Sequence, residues 1–219
     1  VIDYRRLNNQ TLIEKYNLPT DTSLFLNCHD CHYFSTFDLL DGFWSMPITD
    51  ETMEKTAFTS PLGSYDWMVL PQGLSSSPAH FQRVMNFVLR DFLGEGVLIF
   101  IDDIAIVTKT LAEHFDLCGK VFAALAEYDL RFKVEKCRFA QREMKFLGNI
   151  IESNLGRGDM SGLTTIKSDP EKIQAILDIT EPSSNKELMS YLGMTVYQKR
   201  LVPNYSDIAA PLSDISTKH

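Results

Sequence analysis

No stretch of this 219-residue chain approaches the roughly 20 apolar residues that a bilayer-crossing helix needs, and no basic-then-apolar leader opens it. A membrane partner is therefore not expected. Cysteine is scarce: the 4 present, Cys28, Cys31, Cys118 and Cys137, are too few and too dispersed for a disulfide scaffold, so a reducing, intracellular setting is expected. Positive charge is short as well. With 21 Lys and Arg against 29 Asp and Glu, the formal charge is −8, which at first argues against a nucleic-acid partner, since phosphate binding normally uses a surplus of Lys and Arg. There is no internal repeat or low-complexity tract, and Val1 in place of methionine is what a fragment excised from a longer product would show.

What is present is the composition of a globular protein, 44% hydrophobic and 23% charged, enough for one large domain or a domain with a small appendage. Charge is distributed unevenly. Arg131, Lys133, Lys136, Arg138, Arg142 and Lys145 are opposed nearby only by Glu135 and Glu143, so a local basic patch and an ordinary solvated face are both open readings. Cys28-x-x-Cys31-His32 has the spacing of a haem attachment site, and Cys28, His29, Cys31 and His32 could be zinc ligands. Neither reading has a second cysteine or histidine pair close by to support it.

Periodicity predicts a helix from Ser77 to Gly94, with Ser77 as cap, Pro78 in the first turn, and Phe81, Val84, Met85, Val88, Leu89 and Phe92 on one face. A second helix is predicted from Ala112 to Tyr128, burying Phe115, Cys118, Val121, Phe122 and Leu125. Between them, Val97 to Val107 reads as two strands turning near Asp102-Asp103. Lys55 to Leu70 reads as a hairpin turning at Pro61-Leu62-Gly63, and Tyr33 to Leu39 and Lys145 to Ile151 as further strands. After Ile151 a Gly/Ser/Thr-rich stretch marks the best boundary, and beyond it Ser168-Asp169-Pro170-Glu171 and Ser184-x-x-Glu187 open short helices.

Two adjacent carboxylates, Asp102 and Asp103, interrupt an otherwise apolar hairpin. Like charges side by side in low-dielectric surroundings resist ionisation unless cations or water compensate them. Alone, the pair is equally well an exposed turn. Asp38 changes the balance, because it lies in another apolar strand, Tyr33 to Leu39. Two strands that each bring a carboxylate to one sheet edge could hold two magnesium ions for phosphoryl transfer.

Phe100-Ile-Asp-Asp103, preceded by Phe37-Asp-Leu-Leu-Asp-Gly-Phe43 and by Leu70-Pro-Gln-Gly-Leu-Ser-Ser-Ser-Pro-Ala-His-Phe-Gln82, resembles the reverse transcriptases of gypsy-type long-terminal-repeat retrotransposons. Val1-Ile-Asp-Tyr-Arg-Arg-Leu-Asn8 is similar to that family's fingers motif, Phe146-Leu-Gly148 to its primer grip, and Asp169 to Ile173 and Gly193 to Tyr197 to its thumb. The resemblance runs in order along nearly the whole chain.

The resemblance implies an α+β right-hand polymerase fold, an antiparallel palm sheet backed by helices. Fingers would be residues 1–13 and 46–76, palm 14–45 and 77–152, an inserted loop 153–167, and a helical thumb 168–219. It implies an RNA-directed DNA polymerase with two Mg2+ ions, for which Mn2+ can substitute. Asp38, Asp102 and the carbonyl of Leu39 would hold metal, with Asp103 supporting the site. Phe43 would exclude a ribose 2′-OH, Gln72 would contact the nucleotide on a turn shaped by Pro71 and Gly73, and Lys136 would donate a proton to pyrophosphate. Arg5 would support the template strand, and Phe146, Leu147 and Gly148 the primer. Implied partners are an RNA or DNA template-primer, deoxynucleoside triphosphates, and the ribonuclease H and integrase regions of a parent polyprotein. The implied setting is cytoplasmic, within a virus-like particle, with the nucleus left open.

Three departures accompany the match. The chain starts after the family's basic triphosphate-gripping residues, Phe100 stands where Tyr is usual, and Arg157 to Thr165 reads as an insertion. Arg157-Gly158-Asp159 within it is also a cell-adhesion tripeptide, a weak match in a Gly-rich loop. The departures and the acidic charge keep a second reading open, an inactive polymerase-like domain serving as a nucleic-acid-binding or scaffold module.

Overall fold

A computed structural model describes residues 2–12, 16–155 and 164–217. Most of the Arg157–Thr165 insertion, with its Arg-Gly-Asp tripeptide, lies outside the described residues. The chain divides into two compact units, Val1–Met144 with Glu152–Thr164, and Lys145–Ile151 with Thr165–His219.

The first unit contains, in chain order, α1 (Arg5–Gln10), α2 (Asp21–Phe25), β1 (Tyr33–Asp38), α3 (Asp50–Lys55), β2 (Phe58–Ser60), β3 (Gly63–Tyr65), α4 (Ser77–Val88), β4 (Val97–Phe100), β5 (Asp103–Thr108), α5 (Leu111–Glu127) and β6 (Arg138–Gln141). The main sheet is antiparallel with strand order β4-β5-β1-β6. The inner strand β5 is buried along its length after Asp103, which is why Ile104 to Val107 carries no polar alternation. Phe81 and Met85 from α4 and Val121 and Leu125 from α5 join Phe37, Ile99, Ile104 and Ile106 in one core. β2 and β3 pair as the separate hairpin that Pro61-Leu62-Gly63 predicts, but it is shorter than the expected Lys55 to Leu70, because Lys55 ends α3 and the strands pair only over Phe58–Ser60 and Gly63–Tyr65.

The structure corrects several expectations at element ends and faces. α4 stops at Val88: Leu89 leaves helical geometry, and a 3₁₀ turn over Arg90–Phe92 follows, so Gly94, at φ +86°, closes that turn and not the helix. Ser76, not Ser77, is the N-cap, and the Ser77 hydroxyl instead donates to the carbonyl of Pro71 at 3.0 Å. On α5, Phe115 is 61% exposed. The inward face is His114, Leu117, Cys118, Val121 and Leu125, because the His114 ring bonds to Ser35 Oγ (2.6 Å) and Thr108 Oγ1 (2.9 Å) on the sheet.

β7 (Glu143–Phe146), β8 (Asn149–Glu152) and β9 (Thr165–Ser168) form a second sheet in the order β7-β8-β9. Lys145 to Ile151 is thus two strands, not one. Leu147 (φ +50°) and Gly148 (φ +72°) both occupy left-handed geometry, as a two-residue hairpin turn requires. Three helices complete the second unit, α6 (Pro170–Leu177), α7 (Asn185–Val196) and α8 (Tyr205–Thr217). Asp169 caps α6 by accepting from the Glu171 N–H. Ser184 caps α7, but the Glu187 carboxylate reaches one residue further back, to Ser183 N (2.8 Å) and Oγ (2.9 Å), so the predicted box is displaced.

Candidate active site

Asp38 is the last residue of β1 and Asp103 the first of β5, and the antiparallel register sets them directly opposite each other. Asp102 occupies the turn between β4 and β5, following Ile101 at φ +55°. A β-branched side chain is disfavoured in that region, so this turn stores strain. The backbone of Gly42 (φ +43°) lies against Asp102: a Cβ there would come within 3.1 Å of Asp102 Oδ2. Any other residue at 42 would be strained by that dihedral, and its Cβ would displace the Asp102 carboxylate by a few tenths of an ångström. Asp102 Oδ1 is buried without a hydrogen-bond partner.

Burial, then the charges of Asp103 and Asp38, hold the Asp102 carboxyl above the usual carboxylate range. Asp103 is raised too, by burial and then by Asp38, with Lys136 acting in the opposite direction. Much of Asp103 is solvent-exposed, which weakens the burial contribution relative to the repulsion from Asp38. Lys136 offsets part of that repulsion. Its Nζ donates to Asp38 Oδ2 at 3.0 Å from a 3₁₀ turn over Val134–Lys136. The chain leading to that turn is bonded to β1 and the two residues after it: Lys133 N–H donates to Asp38 O at 2.9 Å, and Leu40 N–H to Arg131 O at 2.7 Å. Leu39 bridges to Phe132 between them.

Phe43 lies one residue past Gly42, half-buried, with its ring 5.1 Å from that of Phe81 in an edge contact. Gln72 is exposed on a turn fixed from two sides. Ser77 holds the Pro71 carbonyl, while Asn8 donates to Gly73 O and accepts from Ser75 N, both at 2.9 Å. Gly73, at φ +97°, lets that turn close against Ile2 and Tyr4. Arg5 is engaged elsewhere, its guanidinium 2.6 Å from Asp3 and largely exposed. Phe146, Leu147 and Gly148 form the β7–β8 turn of the second unit, where Gly148 O accepts from Asp169 N at 3.2 Å. Asp38, Leu39, Phe43, Asp102, Asp103 and Lys136 therefore come together at one end of the main sheet.

Two contributors went unnoticed in the sequence. Asn8 pins the Gln72 turn, and Gln82, fully buried on α4, accepts from the Ile101 N–H at 2.7 Å beside Asp102. A polar residue inside the apolar stripe of α4 was the available signal for Gln82.

The Cys-His stretch has other occupations. Cys28 is fully buried, Cys31 Sγ bonds to Asn27 O at 3.4 Å, and burial raises the Cys31 thiol to about 11. His32 Nδ1 lies 3.0 Å from Ser153 Oγ, and His29 beside Asp30 at 3.2 Å. Among the described residues, no three or more His, Cys, Asp or Glu side chains are grouped so as to hold a metal ion by themselves. Magnesium sites need no such group, since that ion takes one or two carboxylates and completes its shell with water and substrate phosphate. No helix among the described residues is long and apolar enough to cross a membrane.

The profile of the family described as "Reverse transcriptase (RNA-dependent DNA polymerase)" matches residues 1–151. The chain is 37% identical over its full length to the retrovirus-related Pol polyprotein from transposon 297 of Drosophila melanogaster, and 30% identical, over 98% of its length, to that from transposon gypsy. It spans 20% of the length of each of these relatives. Among solved structures it is similar to the foamy viral protease-reverse transcriptase with RNA/DNA hybrid, at a TM-score of 0.81, 31% identity, and coverage of 100% of this chain and 28% of that one. A form of the same protein with double-stranded DNA gives a TM-score of 0.85 at 31% identity, covering 100% of this chain and 37% of that one.

Proposed function

This chain belongs to the reverse transcriptase family, and on that premise we propose that it is the catalytic core of an RNA-directed DNA polymerase from a retrotransposon Pol polyprotein. It would join deoxynucleotides to a primer 3′-OH on an RNA or DNA template. The observation that carries this reading is the carboxylate cluster. Asp38 faces Asp103 across paired strands, and the adjoining Asp102 has a buried oxygen with no donor.

Burial and mutual repulsion disfavour charge on Asp102 and Asp103, and a divalent cation is the partner that reverses this. The donors are all oxygen, which fits Mg2+, with Mn2+ as substitute. Asp38, Asp102 and the Leu39 carbonyl would hold two ions, and Asp103 would reinforce the local field. Bound magnesium supplies the positive charge that lowers the pKa of the attacking hydroxyl and offsets charge developing on the phosphorus oxygens.

The chain's own groups do the rest. The ring of Phe43, steadied by Phe81, forms the wall that a ribose 2′-OH would strike. Gln72 meets the incoming nucleotide from its pinned turn. Lys136 leaves Asp38 to protonate the departing pyrophosphate. Arg5 supports the template, and Phe146, Leu147 and Gly148 support the primer. In this reading residues 1–13 and 46–76 are fingers, 14–45 and 77–152 palm, and 168–219 thumb. Nucleic acid is gripped by backbone and shape, as sequence-independent synthesis demands.

Extension of an end-labelled primer by the purified chain, on RNA and on DNA, tests the proposal. Magnesium-dependent extension is expected, falling by about 10²-fold or more with Asp38→Ala. A folded preparation inactive in both Mg2+ and Mn2+, or an Asp38→Ala variant as active as wild type, would leave a nucleic-acid-binding or scaffold module as the better account.

A further inference from the structure

Gln82 has no part in the chemistry above, yet it is fully buried and every polar atom of its amide is engaged. Oε1 accepts the Ile101 N–H at 2.7 Å. Nε2 donates to the Ile99 carbonyl at 3.3 Å and to Asn86 Oδ1 at 2.9 Å, and Asn86 Nδ2 passes the chain on to Tyr16 Oη at 2.7 Å. The orientation is not arbitrary. A backbone N–H can only donate, so the atom facing Ile101 must be the oxygen, and the nitrogen is left for two acceptors.

One side chain from α4 thus grips the backbone on both sides of Phe100, at the free edge of the sheet where β4 ends and the turn begins. The residue it grips at the turn is the strained one. Ile101 at φ +55° would relax toward negative φ if released, and Asp102 is the next residue along the chain. Asparagine is one methylene too short to reach both atoms. Glutamate lacks the donor and would add a buried charge beside two carboxylates that already repel.

We infer that Gln82 is the positioning residue of this site: it holds Ile101 in its left-handed conformation and so fixes Asp102 where a divalent cation and Asp38 meet it. The inference rests on the reading of Asp102 as a cation ligand. It adds that the ligand's placement is set from α4, by an amide that touches neither metal nor substrate.

The test compares wild type, Asp102→Asn, Gln82→Leu, Ile101→Gly and Gln82→Leu/Ile101→Gly. Mn2+ affinity is read from the free-ion electron paramagnetic resonance signal, thermal melting reports folding, and the Mg2+ concentration for half-maximal primer extension is measured alongside. Gln82→Leu is expected to weaken Mn2+ binding about tenfold and to raise the Mg2+ requirement similarly. Ile101→Gly alone should change little. In the Gln82→Leu background it should restore most of the affinity, because glycine adopts positive φ without being held. Rescue of this kind would not arise from a general loss of packing.

Unchanged Mn2+ affinity in Gln82→Leu, or a double variant as weak as Gln82→Leu, overturns the positioning role. If Asp102→Asn binds Mn2+ as wild type does, the reading of the site falls and takes this inference with it. If Asp102→Asn weakens binding and Gln82→Leu does not, the site stands and only the role of Gln82 is lost. Should Gln82→Leu melt below the assay temperature, Gln82→Met, which matches the length of the side chain but carries neither its amide oxygen nor its N–H donors, takes its place under the same two outcomes.

Discussion

Asp102 is the residue at which burial and charge coincide, next to the strained backbone of Ile101, and its raised pKa has a definite consequence for stability. In the folded state it binds its proton more tightly than in the unfolded chain, whose carboxylates titrate near pH ~4. Between that pH and the higher folded value the native state holds more protons, so stability falls as pH rises. Metal-free wild type is therefore expected to lose thermal stability relative to Asp102→Asn as pH goes from 4 to 7. A divalent cation should close the gap by restoring wild type alone. Melting curves across that range, with chelator and with Mg2+, check both halves; a gap that is flat with pH would contradict the burial argument. The carboxylates themselves were legible in the sequence, because charged side chains inside apolar strands have few structural uses. The unpaired oxygen of Asp102 and the close approach of the Gly42 backbone to the other were not, since they depend on a contact across residues distant along the chain.

At the scale of elements, the turn carrying Gln72 is held by contacts from far along the chain. Asn8, on α1, supplies one donor and one acceptor to it. Asn8→Ala removes both bonds at an exposed position, which should cost about 0.5–1.5 kcal/mol of stability. Its larger effect is expected on nucleotide use, raising the KM for deoxynucleoside triphosphate while Mg2+ dependence stays as in wild type. Steady-state extension at varied nucleotide and varied Mg2+ separates the two; a change confined to Mg2+ dependence would show that the turn serves another purpose. The types of the longer elements were readable from period and caps, whereas the short helices α1, α2 and α3 and the strands β6 and β9 were not, and ends and faces were less legible still. α5 turned inward by one position because His114 found hydroxyl partners on two strands, and α4 stopped where Leu89 left helical geometry. Both outcomes were decided by neighbours outside the helix.

For the whole molecule the question is how a chain of charge −8 would hold a polyanion. Much of the basic cluster is already engaged. Arg131 pairs with Asp129, Arg142 lies over the Tyr33 ring, Lys136 pairs with Asp38 and Lys145 with Asp169. Lys133 is exposed, and its backbone is fixed to Asp38 O. Lys133→Glu is expected to raise the Kd for a primed duplex and to lower the slope of log K against log salt by about 1. Fluorescence anisotropy at several salt concentrations measures it, and an unchanged slope would place the phosphate contacts elsewhere.

The sequence by itself determined the longer elements and the carboxylates on which the proposed chemistry rests, because apolar periodicity, turn residues and three carboxylates in strand contexts are local properties of the chain. Tertiary structure alone decided which groups support the reactive ones. Whether Gln82 grips the Asp102 turn, Asn8 the Gln72 turn, or Lys136 the Asp38 carboxylate depends on elements separated in sequence being brought within hydrogen-bond reach. No spacing rule along one strand or helix encodes that distance.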